Sequence, residues 1–538
     1  MSRHTVHPPM AWLAAAWALV LALAASPAFA FTAGQAAAMA SGSVGERVEA
    51  ISEAVADPDA ALAAFLQAML EGRVRMLDGR AIIAAGDGSA VDAVDGSPVT
   101  GMEAARAIVN NNRMRREIAD AIASLQLFST EDTTRLEAAR RIADNPDPTK
   151  LVLIERAAAA ERVAGIRALL EQARAAILVA SPEREERLAA ARTLGESREP
   201  AMKALLERRL AGEQAETDAE IRKALATSLA SVARRVAIGE YAGIVFSGIS
   251  LGSILLLAAL GLAITYGLMG VINLAHGELI MIGAYATWLT QQFFRNHLPA
   301  WFDTYLLAAV PVSFLAAAAV GAILERLVIR HLYGRALETL LATWGISLIL
   351  MQAVRSTFGA QNVAVENPSW LSGGLVVLPN LVLPWNRIAI IVFAFVVVAA
   401  IALLLARSRL GLFVRAATQN RMMARCVGVP TRRVDTLAFA LGAGVAGLAG
   451  CALSQVGNVG PDLGQGYIVD SFMVVVLGGV GQIAGAVYAG LGLGILNKIF
   501  EGMAGAVIAK IALLVMIILF IQKRPQGIFA LKGRSAEA

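Results

Sequence analysis

Two patterns of apolar and polar positions divide the chain near residue 240. Before that point, apolar residues recur at helical spacing among many charges. After it, they come in long runs with few charges. A membrane-crossing helix needs about 20 predominantly apolar residues. Stretches 243–271, 272–294, 305–329, 336–358, 388–406, 434–456 and 507–521 have this character. Stretch 469–499 differs, with seven glycines from Gly478 to Gly494. It reads as a re-entrant pair of half-helices or as two short spans, because broken, glycine-rich helices occur where backbone lines a cavity. The pattern predicts an all-α, polytopic membrane domain of about eight segments over 240–530, one of them re-entrant, with a tail at 531–538.

Charge orients these segments. Residues 407–433 hold seven arginines and no acidic residue between two apolar runs. Short basic loops stay on the cytoplasmic side. Leu412, Ala416, Met423 and Val427 predict one short amphipathic helix in this loop. The basic residues near 523–534 place the tail on the same side, so 469–499 must cross an even number of times. Residues 1–30 carry Arg3, an apolar core at 11–25 and Ala28-Phe29-Ala30, the marks of a secretory signal. Such a signal carries Phe31 and the residues after it to the outside, in agreement with the parity set by the arginine loop.

Residues 31–239 then form an exported, mainly helical domain. Leu136, Ala139 and Ile142 share a helix face, as do Leu188, Ala191 and Leu194, and Ile221, Leu225 and Leu229. Asp57-Pro58, Asp147-Pro148 and Ser181-Pro182 separate the helices. RLEAARRIAD and RLAAARTLGES lie 52 residues apart, predicting paired-helix repeats of the HEAT kind, whose extended surface binds a partner. Asp78-Gly79 between two short apolar strands predicts a small β-hairpin. Asp87, Asp92 and Asp95 come after it. Their spacing is not that of a calcium loop, and they read as turn residues, with no metal.

Composition narrows the functions. Of 538 residues, 57% are hydrophobic and 17% charged, below the roughly 25% charged of soluble domains. The net charge of +5 resides in the membrane half, so no nucleic-acid partner is implied. The two cysteines, Cys426 and Cys451, lie outside the exported region, which therefore has no disulfide framework. Gly442-x-Gly444-x-x-Gly447 and Gly248-x-Ser250-x-Gly252 match a dinucleotide fingerprint and a nucleophile elbow by letter. Both lie inside apolar spans without the strand such motifs require, and read as helix-packing glycines. No glycine-rich loop ends in Lys-Ser/Thr, so the chain has no ATP-binding loop. No catalytic residues and no cofactor are expected.

The informative polar cluster is Asn273, His276 and Glu278 in VINLAHGELIMIGAY, at a junction between spans. Ionisable groups in a membrane are costly and commonly functional; the span count sets these three near the cytoplasmic face. Asn-x-Ala-His-Gly-Glu resembles the signature of the branched-chain amino acid type of ABC importer permease. MMARCVG in the arginine loop resembles the ATPase-coupling "EAA…G" loop of such permeases, with Met422 and Met423 at its first positions and no following Leu-Pro. The resemblance covers about 240–530, and the exported region resembles the N-terminal extension of the urea-type members.

It implies a permease subunit, itself not an enzyme, in a bacterial inner membrane. The implied partners are a second homologous permease, two ABC ATPases and a periplasmic substrate-binding protein. Arg415, Asn420, Met423, Ala424 and Gly428 would form the coupling loop, with Ala424 and Gly428 on one docking face. Urea or a short amide is the expected solute, with branched-chain amino acids as the alternative. A path for a neutral polar solute needs hydrogen-bonding groups, for which Thr343, Ser347, Asn458 and Gln482 are candidates beside Asn273, His276 and Glu278. A receptor or scaffold with an exported sensor, or a passive channel, are readings from other classes.

Overall fold

A computed structural model describes residues 31–529 apart from 56–59, 86–88, 101–103, 213–214 and 271–272. The expected signal segment, Asp87 and the tail at 531–538 lie outside the described residues. The chain falls into two compact units, one ending at Arg235 and the other starting at Val236.

The first unit opens with α1 (Ala33–Ala40), α2 (Val44–Val55) and α3 (Ala60–Leu70). Thr32 and Gln35 close a reciprocal capping box that starts α1. A sheet comes next: β1 (Val74–Leu77), β2 (Arg80–Ala84), β3 (Ala90–Asp92), β4 (Pro98–Val99) and β5 (Arg106–Ala107), in the order β4-β3-β2-β1-β5 and antiparallel throughout. Asp78 and Gly79 take φ of 49° and 79°, the left-handed pair that a two-residue hairpin demands. The expected hairpin is thus the centre of five strands. The other three are only two or three residues long, too short to show alternation. The Asp92 and Asp95 carboxylates each accept a turn N–H, from Val94 and Ser97, at 2.9 Å. Among the described residues no acidic or His/Cys cluster could hold a metal.

Helices α4 (Asn112–Leu125), α5 (Asp132–Asp144), α6 (Leu151–Ala160), α7 (Ala164–Leu178), α8 (Arg184–Leu194) and α9 (Pro200–Ala211) complete this unit's run of short helices. The 52-residue resemblance is structural. Arg135 donates to the Ser129 carbonyl at 2.9 Å and to Glu161 at 2.8 Å. Arg187 donates to the Ser181 carbonyl at 3.0 Å and to Glu216 at 2.9 Å. Each glutamate also accepts two backbone N–H groups, Arg162 and Val163 in one copy, Thr217 and Asp218 in the other. Ile166 and Leu170 in the first copy, Ile221 and Leu225 in the second, are buried alike. Two repeats therefore close their turns with the same arginine–glutamate kit.

The second unit takes in most of α10 (Ala219–Met269), then α11 (His276–His297), α12 (Tyr305–Leu327) and α13 (Ala336–Phe358). The hairpin β6 (Gly374–Leu378) and β7 (Leu381–Pro384) leads into α14 (Trp385–Arg407), α15 (Arg409–Gln419) and α16 (Arg421–Cys426). The unit ends with α17 (Thr431–Ser454), α18 (Leu463–Gly478), α19 (Ile483–Ala504) and α20 (Ala506–Lys523). Seven described helices are long and apolar enough to cross a membrane: α10, α12 (in a span counted from Pro299), α13, α14, α17, α19 and α20. The glycine-rich stretch resolves into two helices, α18 and α19, joined by a turn at 479–482, of which α19 is long enough to span and α18 is shorter.

Helix α17 is the centre, with 83% of its apolar window covered by the chain, against 17% for α13. Its glycines set the packing. A Cβ at Gly447 would meet the Ser313 carbonyl of α12, one at Gly444 the Phe314 ring, and one at Gly450 the Ile280 carbonyl of α11. Gly248 and Gly252 of α10 lie as close to the backbone of α19. Both letter-matches to catalytic motifs are therefore close-packing glycines.

Each unit can be tested through these packings. Burial raises and the Arg135 hydrogen bond lowers the Glu161 pKa, and the bond prevails, holding it at about 2. A depressed carboxylate stabilises the fold above its unfolded pKa and is lost as pH falls through the folded one. Residues 31–235 expressed alone should melt cooperatively, with a midpoint that drops as pH falls from about 5 toward 2. Glu161→Ala, which leaves Arg135 with Asp132 and the Ser129 carbonyl but takes the acceptor from the Arg162 and Val163 N–H groups, should cost about 1–3 kcal/mol and flatten that acid limb. In the second unit, Gly447→Leu should cost roughly 1–3 kcal/mol or more by overpacking, seen as loss of folded protein in detergent. Gly492→Ala, with open space around it, should leave the yield at the wild-type level.

Candidate functional site

The site is built where two helices start inside the membrane unit. A Cβ on Gly261 of α10 would lie 3.0 Å from His276 Cε1 and 3.2 Å from the Ala446 nitrogen, and against the Gly442 carbonyl. His276, the first residue of α11, is therefore level with the middle of α17. Gly464, in the first turn of α18, packs its backbone on Gly277. Both α11 and α18 thus begin part-way through the depth of α17. The span count sets Asn273, His276 and Glu278 near the cytoplasmic face, and the structure sets His276 level with the middle of α17, a helix of spanning length. Hydropathy records composition and cannot register this depth.

The start of α11 is buried. His276 Nε2 meets the Ala258 carbonyl at 2.9 Å, which ties α11 to α10. Asn273 Oδ1 accepts from the Ala275 N–H at 3.0 Å. Thr343 and Ser347, one turn apart on α13, close the other side. Thr343 Oγ1 accepts from the Leu274 N–H at 3.2 Å, and Ser347 Oγ donates to Glu278 Oε1 at 2.7 Å. Five of the seven expected path residues are thereby brought together. Among the described residues, four polar atoms here are buried without a hydrogen-bond partner: Asn273 Nδ2, His276 Nδ1, Glu278 Oε2 and the Tyr285 hydroxyl. Buried polar groups are overwhelmingly paired, so this cluster of orphans marks a place shaped for something else. Tyr285 also stacks on Phe358 of α13 at 4.9 Å, with Trp288 edge-on to both. The two remaining path candidates lie elsewhere. Asn458 is exposed in the segment before α18, and Gln482 is half-buried in the turn before α19.

The arginine loop folds as two helices where one was expected, because Asn420 breaks it and caps α16 through the Met423 N–H at 2.9 Å. Arg415 donates to the Leu405 carbonyl at 2.6 Å and so caps the end of α14. Ala424 is buried, while Leu412, Met422, Met423 and Val427 are exposed. The face that Ala424 shares is turned into the chain, and the apolar stripe is the free one. Gly428 takes φ of 86° with open space around it, and its role is to end α16.

Sequence reasoning missed the polar joint behind this loop. Arg421 of α16 pairs with Asp435 of α17 and lies over the Tyr333 ring at 4.6 Å. Arg425 donates to Thr431 at 3.0 Å. Beside them, the fully buried Glu325 of α12 accepts from Arg330 at 3.0 Å and from Thr436 of α17 at 2.6 Å. The signal was present only as lone acids, Glu325 and Asp435, in otherwise apolar helices.

Residues 244–522 match the family model described as branched-chain amino acid transport system / permease component. The high-affinity branched-chain amino acid transport system permease protein BraD of Pseudomonas aeruginosa is 31% identical over 288 residues, 52% of this chain and 93% of its own length. The LivH permease proteins of Salmonella typhimurium and Escherichia coli are each 31% identical over 291 residues, 53% of this chain and 93% of theirs. The chain belongs to this permease family. No solved structure matches it.

The polar joint makes a testable demand. Asp435→Asn removes the charge partner of Arg421, an interaction of the class worth roughly 1.5–3 kcal/mol. The seven-arginine loop should then open more often and be cut by trypsin about ten- to a hundredfold faster. The rate is read from the loss of intact chain on a gel. Cleavage at the wild-type rate would mean that the pair does not hold α16.

Proposed function

We propose that the chain is one of two homologous permeases in an ATP-driven importer, and that its solute crosses where α11 and α18 begin. The observation that carries this reading is the packing of Gly277 on Gly464 inside the membrane unit, with the orphaned polar atoms beside it. Discontinuous helices at depth are how membrane transporters build solute sites. Two ABC ATPases would bind the exposed stripe of Leu412, Met422, Met423 and Val427 from the cytoplasm. A substrate-binding protein would deliver solute from the periplasm, where residues 31–239 would lie once the signal is cleaved. Closure of the ATPases pushes on α15 and α16. The Arg421–Asp435 and Glu325–Thr436 contacts pass that push to α12 and α17, and the helices rock between two states.

For the solute, the names of the relatives support branched-chain amino acids over the urea expected from the sequence. Urea or a short amide stands as the second reading, favoured by one observation. The first unit lies outside the matched residues 244–522, although the match covers 93% of the relatives' length. A domain without counterpart there is consistent with a different member of the family.

The deciding experiment is uptake of labelled leucine and labelled urea by cells with and without this gene. Loss of leucine uptake alone supports the leading reading, and loss of urea uptake alone supports the second. If both persist in the deletion strain, the transport role is wrong. Met423→Glu should leave the chain in the membrane but cut recovery of the ATPase on pull-down about tenfold or more, the scale of one lost apolar anchor of about 1.5–3 kcal/mol.

A further inference from the structure

Helix α13 lies at the edge of the second unit. Only 17% of its apolar window is covered by the chain, and its outer face exposes Leu337, Leu341, Trp344 and Leu348. Its inner face is polar, and Thr343 and Ser347 make two hydrogen bonds to the start of α11. One of these uses Glu278, which is 1% exposed and whose second oxygen has no partner. An orphaned buried acceptor is costly to the fold, and here it sits at the start of α11. Glu278 has one orphaned acceptor and shares the other with the Ser347 hydroxyl of α13.

We propose that Glu278 contacts the solute and accepts its N–H groups, and that Ser347 occupies Glu278 when the site is closed. The Ser347 hydroxyl stands in for a solute N–H. When α13 moves away, the Glu278–Ser347 and Thr343–Leu274 bonds break and Glu278 presents both oxygens. The positive ends of the adjacent helix dipoles face the oxygen end of the same solute. The substrate class is a small solute with N–H donors at one end and a carbonyl or carboxylate at the other. An amino acid and urea share that chemistry. The inference rests on the transport role proposed above and assigns the residue that reads the solute.

The test uses the full chain in cells holding its partners. Uptake of labelled leucine and of labelled urea is normalised to chain recovered in the membrane and to ATPase recovered with it. Glu278→Ala should lower uptake of the transported solute at least about tenfold, as expected for a lost charge-assisted hydrogen bond. Ser347→Ala should raise uptake about twofold or more, because it frees the acceptor. A merely structural pair would instead be damaged equally from either side. Glu278→Gln separates the sources. If the group read is an ammonium, Gln should lose uptake about as Ala does. If it is a neutral amide, Gln keeps an acceptor and should stay within about threefold of wild type. The proposal is overturned if Glu278→Ala transports normally, or if Ser347→Ala, recovered with its ATPase, loses as much as Glu278→Ala. A wild-type chain that carries neither solute would sink the transport role itself, and is recognised before any variant is compared.

Discussion

A helix that starts at membrane depth must have its first turn enclosed by protein. Its leading N–H groups have no partner within the helix, and hydrocarbon offers none, at a cost of several kcal/mol per group. Helices α11 and α18 both start this way, and much of the second unit is arranged to enclose them. The His276 bond to Ala258 fixes α11 to α10. Gly277 and Gly464 bring the two starts into backbone contact. The glycines of α17 let α11 and α12 approach closely enough to exclude lipid. The small residues are thus consequences of the break: side chains at these positions would push the walls apart and expose it.

The same arrangement separates stiff parts from loose ones. Close-packed contacts between α11, α12 and α17 have no slack and transmit displacement. The polar joint of Arg421, Asp435, Glu325, Arg330 and Thr436 lies where α16 meets that stiff pair. In contrast, α13 is held to the break by two side-chain hydrogen bonds and an aromatic contact through Phe358.

Much of this was legible in the sequence. Span lengths, the arginine loop and the Asp78-Gly79 turn each depend on local chemistry, and local chemistry is what a sequence displays. The paired repeats were visible because Arg135 and Arg187 recur in one context. Asn273, His276 and Glu278 stood out because ionisable residues are rare in apolar runs. Their depth was hidden, since a chain that turns back inside the membrane has the same composition as one that turns outside. The pairing of Arg421 with Asp435 was hidden because it joins a loop to a span across a turn. The burial of Ala424 was not legible, because spacing shows which residues share a face and not which face turns inward.

The remaining question is what shape of solute suits the break. Beyond Glu278, the same face of α11 carries Met281 and Tyr285, at three and seven residues' spacing. They join Val459, Trp288, Val354 and Phe358 in an apolar cluster. Urea has no apolar part, and beside it such a cluster would have nothing to do. An amino acid with a branched side chain has a use for each element. Its ammonium would face Glu278, and its hydrocarbon would lie toward Met281 and the aromatic rings. Burying that hydrocarbon contributes roughly 1.5–3 kcal/mol, enough to distinguish it from a polar solute of equal charge. The side chains around the break, considered apart from any relative, therefore support the amino acid reading. They also suggest why Tyr285 ends in an orphaned hydroxyl: it lies where the apolar cluster gives way to the polar one, and a solute bridging the two would pass beneath it.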